Sequence, residues 1–298
     1  MEIRMVHYHK LNEEKADFQA AVARHSADKT VIYKEVEGQP VRLGWFFPKQ
    51  FKLKKTSTGK LPTYPLFVMV HGGGWSGHKI FEDQSCWQGD YLGYLARYFA
   101  DRGFVCVSVD YRLIREDGQA PGYGILECYE DCCDAMDFIF SKAEECGLDK
   151  ERCYLLGESA GGHLAGALAT FHYDRTYSFK KAFLVNPITH FEDYWGRFVP
   201  TVSKHPHLAP LTLPERKKFL APLSQITGNT CDVVLIHGEE DTVVSPEHAK
   251  AFYDKRKEFP GECKLHLIEK TGHAFLLAEY TKQLEACGIG IRIIEENL

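Results

Sequence analysis

The chain has 298 residues, 44% of them hydrophobic and 26% charged, with a formal net charge of −5. That balance is ordinary for a globular protein and excludes disordered, collagen-like and coiled-coil readings. The length allows one large α/β or all-β unit, or a domain carrying a sizeable insertion.

Nucleic-acid binding usually leaves a basic footprint. The one short basic cluster, Lys52, Lys54, Lys55 and Lys60, sits among Thr56, Ser57, Thr58 and Gly59 and reads as a solvated loop. No stretch approaches the roughly 20 apolar residues that a membrane-spanning helix needs. The first ten residues lack the apolar core and small-residue cleavage site of a secretory signal, which points to a cytoplasmic protein. The expected partner is therefore a small molecule, with no nucleic acid and no membrane span; a homodimer stays open. The ten cysteines form no C-x-x-C pair, and several fall within apolar strand patterns. They read as reduced, buried small hydrophobes, with Cys128, Cys132 and Cys133 as the alternative redox or metal group.

In chain order, Leu11–His25 has helical character. Val31–Val36 and Val41–Phe47 read as strands joined through Gly38-Gln39-Pro40. A polar loop, Lys49–Pro65, leads to the continuous apolar run Leu66–Val70, the pattern of a strand buried on both faces. Then follow a helix over Tyr91–Arg102, a strand over Phe104–Val109 and a helix over Leu126–Cys146 that stops at Gly147. Cys153–Leu156 reads as a strand and Ala160–Phe171 as the helix directly after it. Ala182–Val185, Val233–Ile236 and Leu265–Ile268 are further strands. Helices are expected over Pro246–Phe259 and Phe275–Cys287. The alternation predicts a mostly parallel sheet. It breaks between Pro187 and Thr230, a segment rich in proline and aromatic residues. The expectation is thus one domain over 1–298, with 188–230 as a lid or cap insertion.

The sharpest chemical signal is Gly157-Glu158-Ser159-Ala160-Gly161. Placed between a strand and a helix, G-x-S-x-G forces the serine out at a tight turn at the head of a helix. This makes Ser159 the candidate nucleophile. His71-Gly72-Gly73-Gly74-Trp75 follows a buried strand. Its consecutive glycines free the backbone to aim N–H groups at a developing oxyanion, together with the amide of Ala160. The amides of Gly73 and Gly74 are the candidates, with Trp75 open as a one-residue shift. Asp241, in the loop after Val233–Ile236, is the candidate acid ahead of Glu239 and Glu240. His273, in the loop after Leu265–Ile268, is the candidate base. His71 and His237 hold comparable positions but precede glycines and read as loop supports. Tyr111 and Arg112 read as structural, and Glu158 receives no catalytic task. Phe191, Tyr194, Trp195 and Phe198 offer either an aromatic substrate surface or ordinary lid packing. Trp75 and Trp195 are the candidate substrate contacts.

The motifs HGGGW (71–75), DYR (110–112), GESAGGHLA (157–165), HGEEDTVV (237–244) and GHAF (272–275) resemble the α/β-hydrolase superfamily. Within it they look like the HGGG-bearing esterase/lipase branch, and are most similar to acetyl-xylan and feruloyl esterase-like enzymes. Kynurenine formamidases and hormone-sensitive-lipase-type carboxylesterases share much of the pattern. The resemblance implies a central, mostly parallel sheet flanked by helices. It also implies hydrolysis of short-chain esters, plausibly on acetylated or feruloylated carbohydrate, through an acyl-enzyme and without metal or cofactor. A formamide or amide hydrolase with the same triad is the alternative within enzymes. A non-catalytic ligand-binding hydrolase fold is the alternative outside them. Relatives of the lipase type often carry a larger N-terminal helical cap, so pocket closure here is expected to fall to 188–230.

Overall fold

The computed structural model describes residues 3–6, 26–52, 63–75, 92–114, 123–171, 175, 177–192, 205–276 and 283–298. Among them, nine strands form one sheet: β1 (Ile3–Val6), β2 (Lys29–Val36), β3 (Gln39–Phe46), β4 (Tyr64–Val70), β5 (Val105–Val109), β6 (Leu148–Glu158), β7 (Lys181–Val185), β8 (Asp232–Gly238) and β9 (Cys263–Ile268). The spatial order is β1-β9-β8-β7-β6-β4-β5-β3-β2. Only the β2–β3 and β3–β5 pairs are antiparallel. The β2–β3 hairpin turns on Glu37 and Gly38, both at positive φ, as a two-residue type I′ connection requires. The turn is therefore one residue earlier than the sequence suggests, and Gln39 and Pro40 already belong to β3.

Six helices accompany the described sheet: α1 (Gly93–Ala100), α2 (Ile125–Ser141), α3 (Ala160–Thr170), α4 (Leu213–Leu220), α5 (Glu247–Arg256) and α6 (Leu284–Glu296). Strand β4 shows why both faces are covered. Its alternate residues Leu66, Val68 and Val70 join a core with residues of α2, α3 and α5, while Phe67 and Met69 join a core with α1 and α6. A strand whose side chains are apolar on both sides can only sit between two helical layers. This is the α/β-hydrolase fold. Among the described residues no helix is long and apolar enough to cross a membrane.

The chain runs from β4 to β5 on one side and then to β6 on the other, so the strand order reverses around β4. Open α/β sheets bind ligands in the crevice beyond the carboxyl ends of strands at such a reversal. The two glycine motifs, at the ends of β4 and β6, both open there.

Further elements differ from expectation, among them β1, which the sequence pattern did not mark. The last helix begins at Leu284 rather than Phe275, because Phe275 and Leu276 are buried in a turn under α6. A Cβ on Gly290 would come within 2.7 Å of the Phe275 ring, so the helix lies directly on it. Helix α2 ends at Ser141, five residues short of Cys146. Inside the segment expected to be irregular, α4 forms behind a capping box in which Glu215 accepts from the amide and hydroxyl of Thr212. The Leu11–His25 helix, Tyr194, Trp195 and Phe198 lie outside the described residues. Nine cysteines are described and all are free; six of them are buried.

Candidate active site

The turn that carries Ser159 is built by two glycines that have no room for a side chain. A Cβ on Gly157 would fall on the backbone of Gly161, and one on Gly161 would fall on the Val70 carbonyl oxygen and within 2.5 Å of that of His71. Between them, Ser159 is held at φ 57° and ψ −120°. A non-glycine residue in this region carries strain of about 1–3 kcal/mol, and such strain concentrates at functional sites. The Ser159 amide donates to Val185 O (2.9 Å), and its carbonyl accepts the first bond of α3 from the His163 amide (2.9 Å). The turn is thereby fixed from both sides.

Asp241, His273 and Ser159 form one hydrogen-bonded chain. His273 Nδ1–H donates to Asp241 Oδ2 at 2.6 Å, and the Ser159 hydroxyl donates to His273 Nε2 at 2.8 Å. Exposure falls along it: Ser159 is half-buried, the His273 side chain is 15% exposed and that of Asp241 is fully buried. Asp241 Oδ1 accepts the amides of Val243 and Val244, each at 2.9 Å. Burial pushes the Asp241 carboxyl up, but the bonds from His237 and His273 more than offset this and hold it well below the usual carboxylate range. Each hydrogen bond to a charged group contributes about 1.5–3 kcal/mol, which is how a buried carboxylate remains ionised here.

The loops that carry Asp241 and His273 touch through backbone. The Glu240 amide donates to Thr271 O (2.9 Å), and a Cβ on Gly238 would come within 2.5 Å of that same oxygen. Gln283, just before α6, closes the His273 loop: its Nε2–H donates to His273 O (3.0 Å) and its Oε1 accepts from the Gly272 amide (2.8 Å). No motif singles out Gln283; only its distance from His273 reveals the role. Glu158 lies behind the elbow, where its Oε1 accepts the Leu276 amide (3.2 Å). Burial, and secondarily the Asp241 charge, push its carboxyl up to about 8, so it is neutral near pH 7.

The glycine loop takes Gly73, Gly74 and Trp75 through positive φ (96°, 63° and 59°). Tyr111 steadies its base, donating its hydroxyl to His71 O (2.9 Å) and Gly72 O (3.2 Å) while its ring stacks on His71 at 4.2 Å. Burial pushes His71 down to about 4, so the ring is neutral beneath the loop. Arg112 makes a two-pronged ion pair with the fully buried Asp131. The sequence reading of Tyr111 and Arg112 as structural thus matches their contacts. The Trp75 indole is fully buried, edge-on to His163 (5.2 Å) and near Phe191 (6.2 Å), so the side chain expected to contact substrate instead packs beneath the loop. Among the described residues, no group of His, Cys, Asp or Glu is arranged to hold a metal ion.

The class defined by this sheet and strained serine turn is the α/β-hydrolase. The chain belongs to the BD-FAE family, whose model matches residues 53–204, half of its length. It is 24% identical over 254 residues to a probable isoprenylcysteine alpha-carbonyl methylesterase of Arabidopsis thaliana, covering 76% of this chain and 48% of that protein. It is 25% identical over 278 residues to tuliposide A-converting enzyme 1 of Tulipa gesneriana, covering 86% and 66%. The chain spans about half the length of the first of these relatives. Among solved structures, esterase 2 of Thermogutta terrifontis superposes with a TM-score of 0.70 at 22% identity, covering 91% of both chains.

Proposed function

We propose that this protein is a serine hydrolase of short-chain carboxylic esters. The hydrogen-bonded chain from Asp241 through His273 to Ser159 carries the reading. In it, His273 takes the hydroxyl proton as Ser159 attacks the carbonyl carbon, and Asp241 holds the imidazole and stabilises its charged form. The alkoxy group leaves with the proton held by His273. Water, deprotonated by the same imidazole, then releases the acid from the acyl-enzyme.

The tetrahedral oxyanion is assigned to the amides of Gly73, Gly74 and Ala160, with Trp75 as the one-residue alternative. Ala160 is the first residue of α3, so its N–H has no acceptor within the helix and sits where the helix dipole favours negative charge. One such donor is worth about 3–4 kcal/mol in the transition state.

Short acyl groups are favoured because the Thermogutta terrifontis esterase is described with propionate and with butyrate bound. The relatives named as methylesterase and carboxylesterase agree with an ester substrate. An acetylated or feruloylated carbohydrate as the natural ester, with Trp195 at its edge and 188–230 as a cap, completes the reading. The test is a panel of acetyl, butyryl, feruloyl and N-formyl substrates, with Ser159→Ala alongside. Turnover of the esters, absent in the variant, is expected. Turnover of N-formyl amides alone overturns the ester assignment.

A further inference from the structure

His237 ends β8 and precedes a glycine, the position of an ordinary loop support. Its contacts are more specific. The ring is fully buried, and Nε2 lies 2.9 Å from Val244 O and 3.3 Å from Asp241 Oδ2. Two acceptors at one nitrogen require a proton there, so Nε2–H is shared between them. Nδ1 is buried and has no partner among the described residues. A buried imidazole satisfied on one side only costs about 1–3 kcal/mol relative to a packed hydrocarbon.

The bond to Val244 O closes the loop 237–244, and the contact to Asp241 Oδ2 supplies a second donor to the oxygen that receives His273 Nδ1–H. Resting on the reading of Ser159, His273 and Asp241 as a catalytic triad, we propose that His237 is a positioning residue. It aims the Asp241 carboxylate at His273 and takes a share of its charge.

The other ionisable groups around this pair come from every packed element. Glu158 stands at the end of β6, His248 on α5, and His190 in the loop after β7 with its ring stacked on His248 at 4.0 Å. Burial, with His190 and His237 nearby, pushes His248 down to about 3, so His248 adds no positive charge at neutral pH. Glu158 is neutral over the same range. His237 is then the neighbour that competes with His273 for Oδ2. Remove its donor and the whole Asp241 charge falls on His273, whose imidazolium becomes easier to form.

The test compares His237→Leu, which has no donor, with His237→Gln, whose amide nitrogen reaches about where Nε2 lies. With p-nitrophenyl acetate, the leucine variant is expected to lose about 10- to 100-fold in kcat with KM little changed. The acid limb of its kcat/KM profile should move to higher pH by about half a unit or more, and glutamine should restore both. The same shift in His273 is expected in side-chain NMR of the unliganded protein, which requires no turnover. If wild-type turnover proves independent of Ser159, the hydrolase reading fails while the NMR titration still tests His237. An unmoved His273 titration in the leucine variant overturns the proposal, as does equal impairment of both variants in step with their melting temperatures. Should the leucine variant not fold, a wild-type His237 carrying its proton on Nδ1 overturns it.

Discussion

Gly161 is in backbone contact with Val70: a Cβ on Gly161 would lie only 2.1 Å from the Val70 carbonyl oxygen. The serine turn is therefore seated directly on the strand that leads into the glycine loop, and the two motifs hold each other in register. Gly161→Ala is expected to cost about 3 kcal/mol or more, because backbone on both sides must move. Gly228→Ala, with nothing within 4 Å of the added methyl, is the near-neutral control. Urea denaturation of both variants checks this.

Tyr111→Phe removes the hydroxyl that donates to His71 O and Gly72 O. The glycine loop then keeps its sequence but loses its anchor. A fall in kcat of about 5- to 50-fold is expected, with stability lowered by about 1–2 kcal/mol. Steady-state kinetics and a thermal melt on one preparation separate the two effects.

Glu158 supplies a pH signature. Its folded-state pKa of about 8 lies above the ordinary glutamate value of 4.5, so the folded protein holds this proton more tightly than the unfolded chain does. Its contribution is complete below pH 4.5 and is lost as pH rises towards 8, at up to about 1.4 kcal/mol per unit. Glu158→Gln, which keeps an acceptor for the Leu276 amide, is expected to be more stable than wild type at pH 8 and nearly equal at pH 4.5. Denaturant titrations at the two pH values check it.

The buried histidines act at the other end. His71 and His163 are pushed down to about 4 and His248 to about 3, chiefly by burial. Each stays neutral in the folded protein while the unfolded chain protonates near pH 6.5. Their stability is therefore present above pH 6.5 and lost as pH falls towards 4, by up to about 4 kcal/mol per unit for the three together. Glu158 opposes one third of that slope above pH 4.5. Wild type should lose stability steeply below pH 6, and His163→Phe, in the same aromatic niche, should lose it less steeply.

The sheet and the Ser159–His273–Asp241 contacts were legible because each site residue follows a buried apolar strand, and sterics require glycine at 157, 161 and 238 in the turns that carry Ser159 and Asp241. The misplaced last helix has a physical cause. Phe275 and Leu276 are apolar because α6 packs over them, so hydrophobic spacing alone runs on across the true boundary. Helix α4 carried a visible Thr212-x-x-Glu215 capping box, hidden by the surrounding prolines. Strand β1 was not legible: four residues pair with β9 some 260 positions away, and nothing local marks them. The roles of His237 and Gln283 were not legible either, since both depend on which loop lies opposite.

In the proposed reaction Ser159 is the nucleophile activated by His273. Treating the protein with a fluorophosphonate and locating the adduct by peptide mass spectrometry tests this most directly. A single adduct on Ser159 is expected, formed at least about 10³ times more slowly in His273→Ala. An adduct on another residue, or labelling of Ser159 at an undiminished rate without His273, would contradict it.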